Sequence, residues 1–428
     1  MSVTTIATRR PRARKPAGPA SSLANLVALA GRPQASYYLL IGTASALLIL
    51  GLIMVLSASS VTSFTSSGSS FTIAGRQALW VLIGIPVLLL GARLPVRAYR
   101  AVAYPLMLLS LVLLCAVLVP GIGQNVSGAT RWIPLGAGLQ LQPSEPAKLA
   151  LVLWGADLLA RKEKLLADPK HLLVPLLPVA LLMALLVMAE PDMGTTIVLM
   201  LVLLALLFTA GAPLGLFAKL GLSLGGLAAV LAITEPYRMQ RLVGFRDPCA
   251  QQHALSIGYQ ACQGLYALSS GGWFGVGLGG SREKFGYLPN TYTDYIFAII
   301  GEELGLLGTL LVLALFGLLA YAAIRTAQRC RDRFSQLAVA GITAWLLGQA
   351  LVNMGAVVGL LPITGIPLPL VSFGGSALLP TMFAIGMLIS FARNEPATAR
   401  ALAARRSARR GSRPARSAKG ASRPARAR

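Results

Sequence analysis

Long apolar runs broken by short polar stretches occupy the chain from residue 37 to residue 392. A helix needs roughly 20 mostly apolar residues to cross a hydrocarbon core about 30 Å thick. Ten stretches approach that length: 37–57, 77–94, 101–120, 145–160, 172–189, 195–211, 213–233, 295–324, 335–360 and 370–392. The pattern predicts an all-α, polytopic membrane protein with ten transmembrane helices. Proline and glycine blur the edges of the fourth, sixth and last runs. A large loop, 234–294, separates the seventh from the eighth. The first run follows a basic arm, as the apolar core of a signal peptide would. It is too long for one and lacks an A-x-A cleavage pattern, so it reads as an uncleaved anchor.

Composition supports the same class. The 428 residues are 55% hydrophobic and only 12% charged, whereas soluble domains carry about a quarter of their residues as Asp, Glu, Lys and Arg. An ordinary water-soluble enzyme is excluded, and so is a disordered chain, which would be poor in aliphatic residues. Three parts result: a basic, disordered N-terminal arm (1–36), a membrane domain (37–392) and a basic, disordered tail (393–428).

The net charge of +24 would suggest nucleic acid if it were spread evenly. Instead, twelve of the 38 basic residues lie in the tail and most others at the ends of apolar runs. Lys and Arg accumulate on the cytoplasmic side of membranes. Placing both termini in the cytoplasm puts thirty of the 38 inside and eight outside. The acids divide the other way: Glu145, Glu190, Asp192, Glu235, Asp247, Glu283, Asp294, Glu302 and Glu303 fall at outer helix ends or in outer loops. Ionisable groups at membrane depth are costly and mark function, so chemistry is expected on the outer face. The tail reads as an anchor on anionic lipid, at about 1 kcal/mol per basic residue, or as a dock for an acidic partner. Nucleic acid is not expected.

Cys249 and Cys262 share the outer loop, in the compartment that permits disulfides. A bridge between them would close a loop of about a dozen residues and stabilise it by about 2–3 kcal/mol. Two free thiols are the alternative. His171 and His253 lie on opposite sides, so no His/Cys metal site can be assembled. Gly275 to Gly280 spell G-x-G-x-x-G, but no βαβ unit surrounds them. These glycines instead suit a loop that packs closely on helices. Ser281 and Lys284 fit S-x-x-K without the S-D-N and K-T-G motifs of acyl-enzyme proteins, and chance explains the match.

Asp294 stands just before a long apolar helix, with Thr291 three residues upstream. A helix-capping acid is the plain reading. Its setting favours another: an acid at the outer boundary beside a loop with five basic residues, Arg238, Arg241, Arg246, Arg282 and Lys284. Arginines grip phosphate oxygens in bidentate fashion. A carboxylate beside such cations suits sugar transfer from a lipid diphosphate, the acid serving as base and the cations steadying the leaving group. Glu302 and Glu303 lie about 12–14 Å further along the helix and are expected to pair structurally within the bundle.

At these residues the chain resembles the SEDS family (shape, elongation, division and sporulation). The resemblance covers about 37–395. It is carried by G-A-T-R-W-I-P-L-G at 128–136, Q-P-S-E-P-A-K at 142–148, E-P-D-M-G-T at 190–195 and G-Y-Q at 258–260. The glycine run, T-D-Y-I-F-A-I-I-G-E-E-L-G at 293–305 and P-L-P-L-V-S-F-G-G-S at 367–376 complete it. I-I-G-E-E-L-G and A-R-N-E-P place the chain nearer the division branch than the elongation branch. The resemblance implies a glycosyltransferase that polymerises lipid II into glycan strands on the outer face of the plasma membrane. It implies Asp294 as general base, with Arg131, Lys148, Arg238 and Arg241 holding diphosphate or completing its cavity and Glu145 partnering Lys148. Gln260, Ser372 and Ser376, on the motifs, join that set. A divalent cation, Mg or Mn, is implied near the diphosphate, although no ligand set is visible. The implied partners are a class B penicillin-binding transpeptidase and other division proteins, at the septum. Tyr292 departs from the family pattern, which commonly has histidine two residues before the aspartate. A lipid II flippase is the rival reading, since broken spans and intramembrane acids also suit transport. A non-catalytic scaffold is the third.

Overall fold

The computed structural model describes residues 34–126, 129–136, 139–166, 168–234, 247–250, 256, 258–396, 398 and 400. Nearly all of the arm (1–33) and of the tail lie outside them, as do Arg238, Arg241, Arg246 and His253.

Helices stand at each of the ten predicted positions: α1 (Ala35–Ser67), α2 (Thr72–Arg93), α3 (Val96–Val117), α4 (Ser144–Arg161), α5 (Leu176–Ala189), α6 (Met193–Ala210), α7 (Leu214–Thr234), α9 (Ile296–Arg329), α10 (Arg333–Val357) and α11 (Gly375–Asn394). Between the seventh and eighth lies a further helix, α8 (Tyr259–Gly271). Among the described residues, eight helices are long and apolar enough to cross a membrane. The outer flanks of α1 to α3 expose Ile49, Ile53, Leu82, Leu90, Leu108 and Val112. Apolar faces of that extent would be unfavourable in water and suit hydrocarbon.

α4 fails the apolar test for a physical reason. It carries Glu145, Lys148, Asp157 and Arg161, yet fifteen of its 18 residues are buried. Protein, not lipid, surrounds it, so its charges meet partners. At the interface of α2 and α11, glycines let two backbones touch: a Cβ on Gly386 would lie 2.2 Å from the Leu88 carbonyl oxygen. Small residues of this kind are how membrane helices approach closely.

Three features differ from the sequence expectation. α1 runs ten residues beyond its apolar stretch, through a Ser/Thr-rich segment, to a left-handed Gly68 cap. The hydroxyls of Ser66 and Ser67 donate back to the Ser63 carbonyl at 3.2 and 2.8 Å, which replaces water for an otherwise poor helix sequence. The segment 124–141, expected as loop, holds a three-stranded antiparallel sheet of β1 (Gln124–Val126), β2 (Ala129–Gly136) and β3 (Leu139–Leu141) in that order. The fold is therefore helical with one small outer sheet. Finally, α9 is broken at Gly305, whose φ of 68° and ψ of −164° interrupt the helix.

Candidate active site

Asp294 lies one residue before the N-cap of α9, Tyr295, and that helix start has no side-chain cap. Thr291, the other half of the expected capping pair, donates instead to the Ala58 carbonyl of α1 at 3.2 Å. Among the described residues the Asp294 carboxylate accepts no hydrogen bond, so the capping role is excluded by geometry. Its backbone, by contrast, is fixed. Asn353 of α10 donates to the carbonyls of both Asp294 and Ile366 at 2.8 Å. This clamps the carboxylate against the segment preceding α11, where a Cβ on Gly365 would lie 3.8 Å from Oδ2. Tyr292 packs edge-on against Phe373, ring centres 5.7 Å apart, so the residue in the usual histidine position ties two outer segments together.

The carboxylate is half-buried, and burial pushes its pKa up to about 6; the Arg131 charge opposes this shift and Asp192 adds to it. Arg131 comes from β2, which explains the use of the small sheet: a strand holds the guanidinium over the short turn between α5 and α6. There Nε donates to the Glu190 carbonyl at 3.1 Å and Nη2 to the Pro191 carbonyl. Both contacts are to neutral carbonyl oxygens, which leaves three of the five guanidinium N–H groups without a hydrogen bond among the described residues. Asp192 caps α6 through Thr195 (3.0 Å) and accepts from Gln142 Nε2 at 3.2 Å. Gln142 N in turn donates to Ser376 Oγ at 3.0 Å. Glu190 is fully buried, and neither carboxylate oxygen has a hydrogen-bond partner among the described residues. Burial lifts its pKa to about 8, with Asp192 adding and Arg131 opposing, which favours the protonated form.

The other expected site residues divide. Lys148 is completely buried, bonded to Glu145 Oε1 (2.9 Å) and Gln349 Oε1 (2.8 Å), with its ammonium over the Trp345 ring at 5.4 Å. It pairs with Glu145 as expected but makes no open grip for diphosphate. Gln349 passes the connection on to the Pro367 carbonyl at 2.8 Å, so this pair supports the floor of the outer segment. Ser372 Oγ accepts from Leu368 N at 2.8 Å, and Gln260 Nε2 donates to the Pro289 carbonyl at 3.4 Å; both shape backbone. Arg238 and Arg241 lie outside the described residues. Asn353 and Gln349 carried no sequence signal of their own beyond being polar residues in apolar surroundings, whereas Glu190 is legible as an outer acid of the E-P-D-M-G-T motif, without an assigned role.

Glu302 and Glu303 sit deeper and are fully engaged. Glu303 accepts from Ser57 Oγ at 2.7 Å and from Lys284 Nζ at 3.2 Å. Glu302 accepts from Ser281 Oγ at 2.5 Å and Arg282 N at 2.7 Å. The S-x-x-K serine is thus a buried anchor whose Oγ also accepts from Lys284 N at 3.3 Å. The glycine run packs on the break in α9: a Cβ on Gly305 would lie 2.4 Å from Gly275 N. Cys249 and Cys262 are disulfide-bonded, holding α8 to the loop before it. Among the described residues no group of three or more His, Cys, Asp or Glu could hold a metal ion. The described side chains thus offer no all-protein cage for the implied cation, which would depend on one or two carboxylates together with the substrate diphosphate.

The fold and this arrangement have relatives. A family model described as "Cell cycle protein" for FtsW, RodA and SpoVE matches residues 37–396. A probable peptidoglycan glycosyltransferase FtsW of Mycobacterium tuberculosis is 43% identical over 376 residues, covering 88% of this chain and 71% of that protein. Stage V sporulation protein E of Bacillus subtilis is 39% identical, covering 81% and 94%. Among solved structures, a chain of a peptidoglycan synthase complex that coordinates polymerization and crosslinking matches with a TM-score of 0.68 at 29% identity, covering 83% of this chain and 97% of that one. The rod shape determining protein RodA of Thermus thermophilus matches with a TM-score of 0.60 at 27% identity, covering 83% and 96%. The chain belongs to the FtsW/RodA/SpoVE family of multi-pass membrane cell-cycle proteins.

Proposed function

We propose that this chain is a peptidoglycan glycosyltransferase that polymerises lipid II on the outer face of the plasma membrane. The observation that carries the reading is Asp294, a half-buried carboxylate with no hydrogen-bond partner among the described residues and a pKa of about 6. A general base works best when its pKa lies near the operating pH. Asp294 takes the proton from the acceptor sugar hydroxyl. The hydroxyl oxygen forms the new bond to the donor's anomeric carbon, and the bond from that carbon to the phosphate oxygen breaks. The lipid diphosphate leaves with the electron pair, and Arg131 stabilises the charge it gathers. Burial disfavours the ionised form of Glu190 beside Arg131, so it competes less for that charge.

The septal assignment rests on the relatives named FtsW and on the division-type motifs. A class B penicillin-binding protein as partner rests on the synthase complex among the structural relatives. Purified protein given labelled lipid II, with and without the cognate transpeptidase, tests the activity: glycan polymer is expected from wild type and none from Asp294→Asn. Full polymer from that variant would remove Asp294 from the mechanism. A flippase would move labelled lipid II across vesicles without making polymer. Fluorescent fusions accumulating along the side wall instead of the septum would favour an elongation role.

A further inference from the structure

At the opposite end of α4 from the active-site turn, about 24 Å along the helix axis, lies a second charge cluster that the proposed reaction does not use. Asp157 is completely buried and accepts Arg100 Nε on one oxygen and Arg161 Nε on the other, both at 2.5 Å. Each guanidinium also rests on an aromatic ring: Arg100 on Phe334 at 5.7 Å and Arg161 on Tyr104 at 5.5 Å. α3, α4 and α10 thus converge on one carboxylate.

One arginine would suffice to neutralise Asp157. Two leave an excess positive charge, and both are substantially exposed, at 40% and 57% of their side chains. Because Nε is the atom engaged, the terminal Nη1 and Nη2 groups make no hydrogen bond to any described residue. Carboxylate and ring together fix the orientation of each fork, which reduces the entropy lost on capturing an anion. Of the other acids in the described segments at this end, Asp168 caps the turn at Lys170, Asp332 caps Ser335, Glu395 faces Arg329, and Glu163, exposed in the turn after α4, makes no ion pair with Arg100 or Arg161. The geometry points to a binding site for a phosphate, and its place at a helix end of a membrane bundle identifies the source as an anionic lipid head group. Two pinned guanidinium forks match tetrahedral phosphate oxygens with charge-assisted bonds.

Native mass spectrometry of the full-length protein, exchanged from detergent containing phosphatidylglycerol or phosphatidylcholine in equal amounts, tests the site. Removing the arginines alone would strand the buried Asp157 and endanger folding. The informative variant is therefore the triple Arg100→Gln, Asp157→Asn, Arg161→Gln, which is neutral throughout, with unfolding in phosphatidylcholine measured as a check on folding. Wild type is expected to retain phosphatidylglycerol about tenfold over phosphatidylcholine at a salt concentration that screens the tail, and the triple variant is expected to lose that preference. A folded triple variant that keeps the wild-type preference for phosphatidylglycerol would overturn the proposal and assign lipid binding to the tail. Displacement of the lipid by millimolar inorganic phosphate would overturn the lipid assignment in favour of a soluble anion. If the triple variant does not fold, Arg100→Lys with Arg161→Lys keeps the charge and removes the forks. Unchanged preference there overturns the proposal, and its loss supports it.

Discussion

Asp294 and Glu303 lie nine residues apart at the outer end of the same segment, and the structure treats them in opposite ways. Glu303 is held by Ser57, Lys284 and Ser281 N, and every contact ties the glycine loop to α1 and α9. Asp294 has its backbone clamped by Asn353 while its carboxylate has no hydrogen-bond partner among the described residues and its ionisation is disfavoured by burial. A satisfied buried acid is part of the scaffold. An acid held in place but left unsatisfied is available to react, at a cost in stability.

The largest expected effect separates the two directly. Asp294→Asn lowers polymerisation by about 10²–10⁴-fold, the range of a lost general base, read as labelled lipid II converted to polymer. The same variant unfolds at equal or higher temperature. The folded pKa of about 6 lies above the ordinary value, so the folded chain binds this proton more tightly than the unfolded one does. The stabilisation is present below about pH 4 and is lost as pH rises through about 6. Replacing the carboxylate by a neutral amide therefore gains about 1–2 kcal/mol at pH 7, discounted for partial exposure. A clear loss of stability would place Asp294 on the scaffold side with Glu303.

On the scaffold side, Lys148→Met strands Glu145 in the interior and costs about 3–5 kcal/mol. The double variant with Glu145→Leu recovers most of that in a thermal unfolding series. Gly305→Ala forces a side chain into a left-handed backbone already touching Gly275, and costs about 1–3 kcal/mol. It is expected to lower the unfolding temperature more than the turnover of whatever protein remains folded. The smallest effect is a pH profile: between pH 7 and pH 5 the polymerisation rate falls about tenfold as Asp294 gains its proton. A rate flat across that range would break the link between the burial of Asp294 and its role as base.

Much of this was legible in the order of the residues. Apolar runs of membrane length located ten helices, and the gathering of acids on one side drew attention to Asp294 before any coordinate. Where reading failed, the missing information was contact. Lys148 carries a charge that would suit diphosphate, but only packing places it beneath the site against Gln349 and Trp345. β2 has no alternation strong enough to announce a strand, and its purpose is visible only once Arg131 is seen over the turn at Glu190 and Pro191. The Ser/Thr stretch 57–67 looked like a break because hydropathy ignores hydroxyls that bond back to their own helix.

By itself the sequence determined the class of environment and the list of groups that could react. Transfer into hydrocarbon is a sum over residues of one segment and needs no knowledge of neighbours. The tertiary structure decided which ionisable groups are paired. Pairing depends on residues as far apart as Ser57 and Glu303, or Asp294 and Asn353, and the cost of an unmet charge is set by what surrounds it in space.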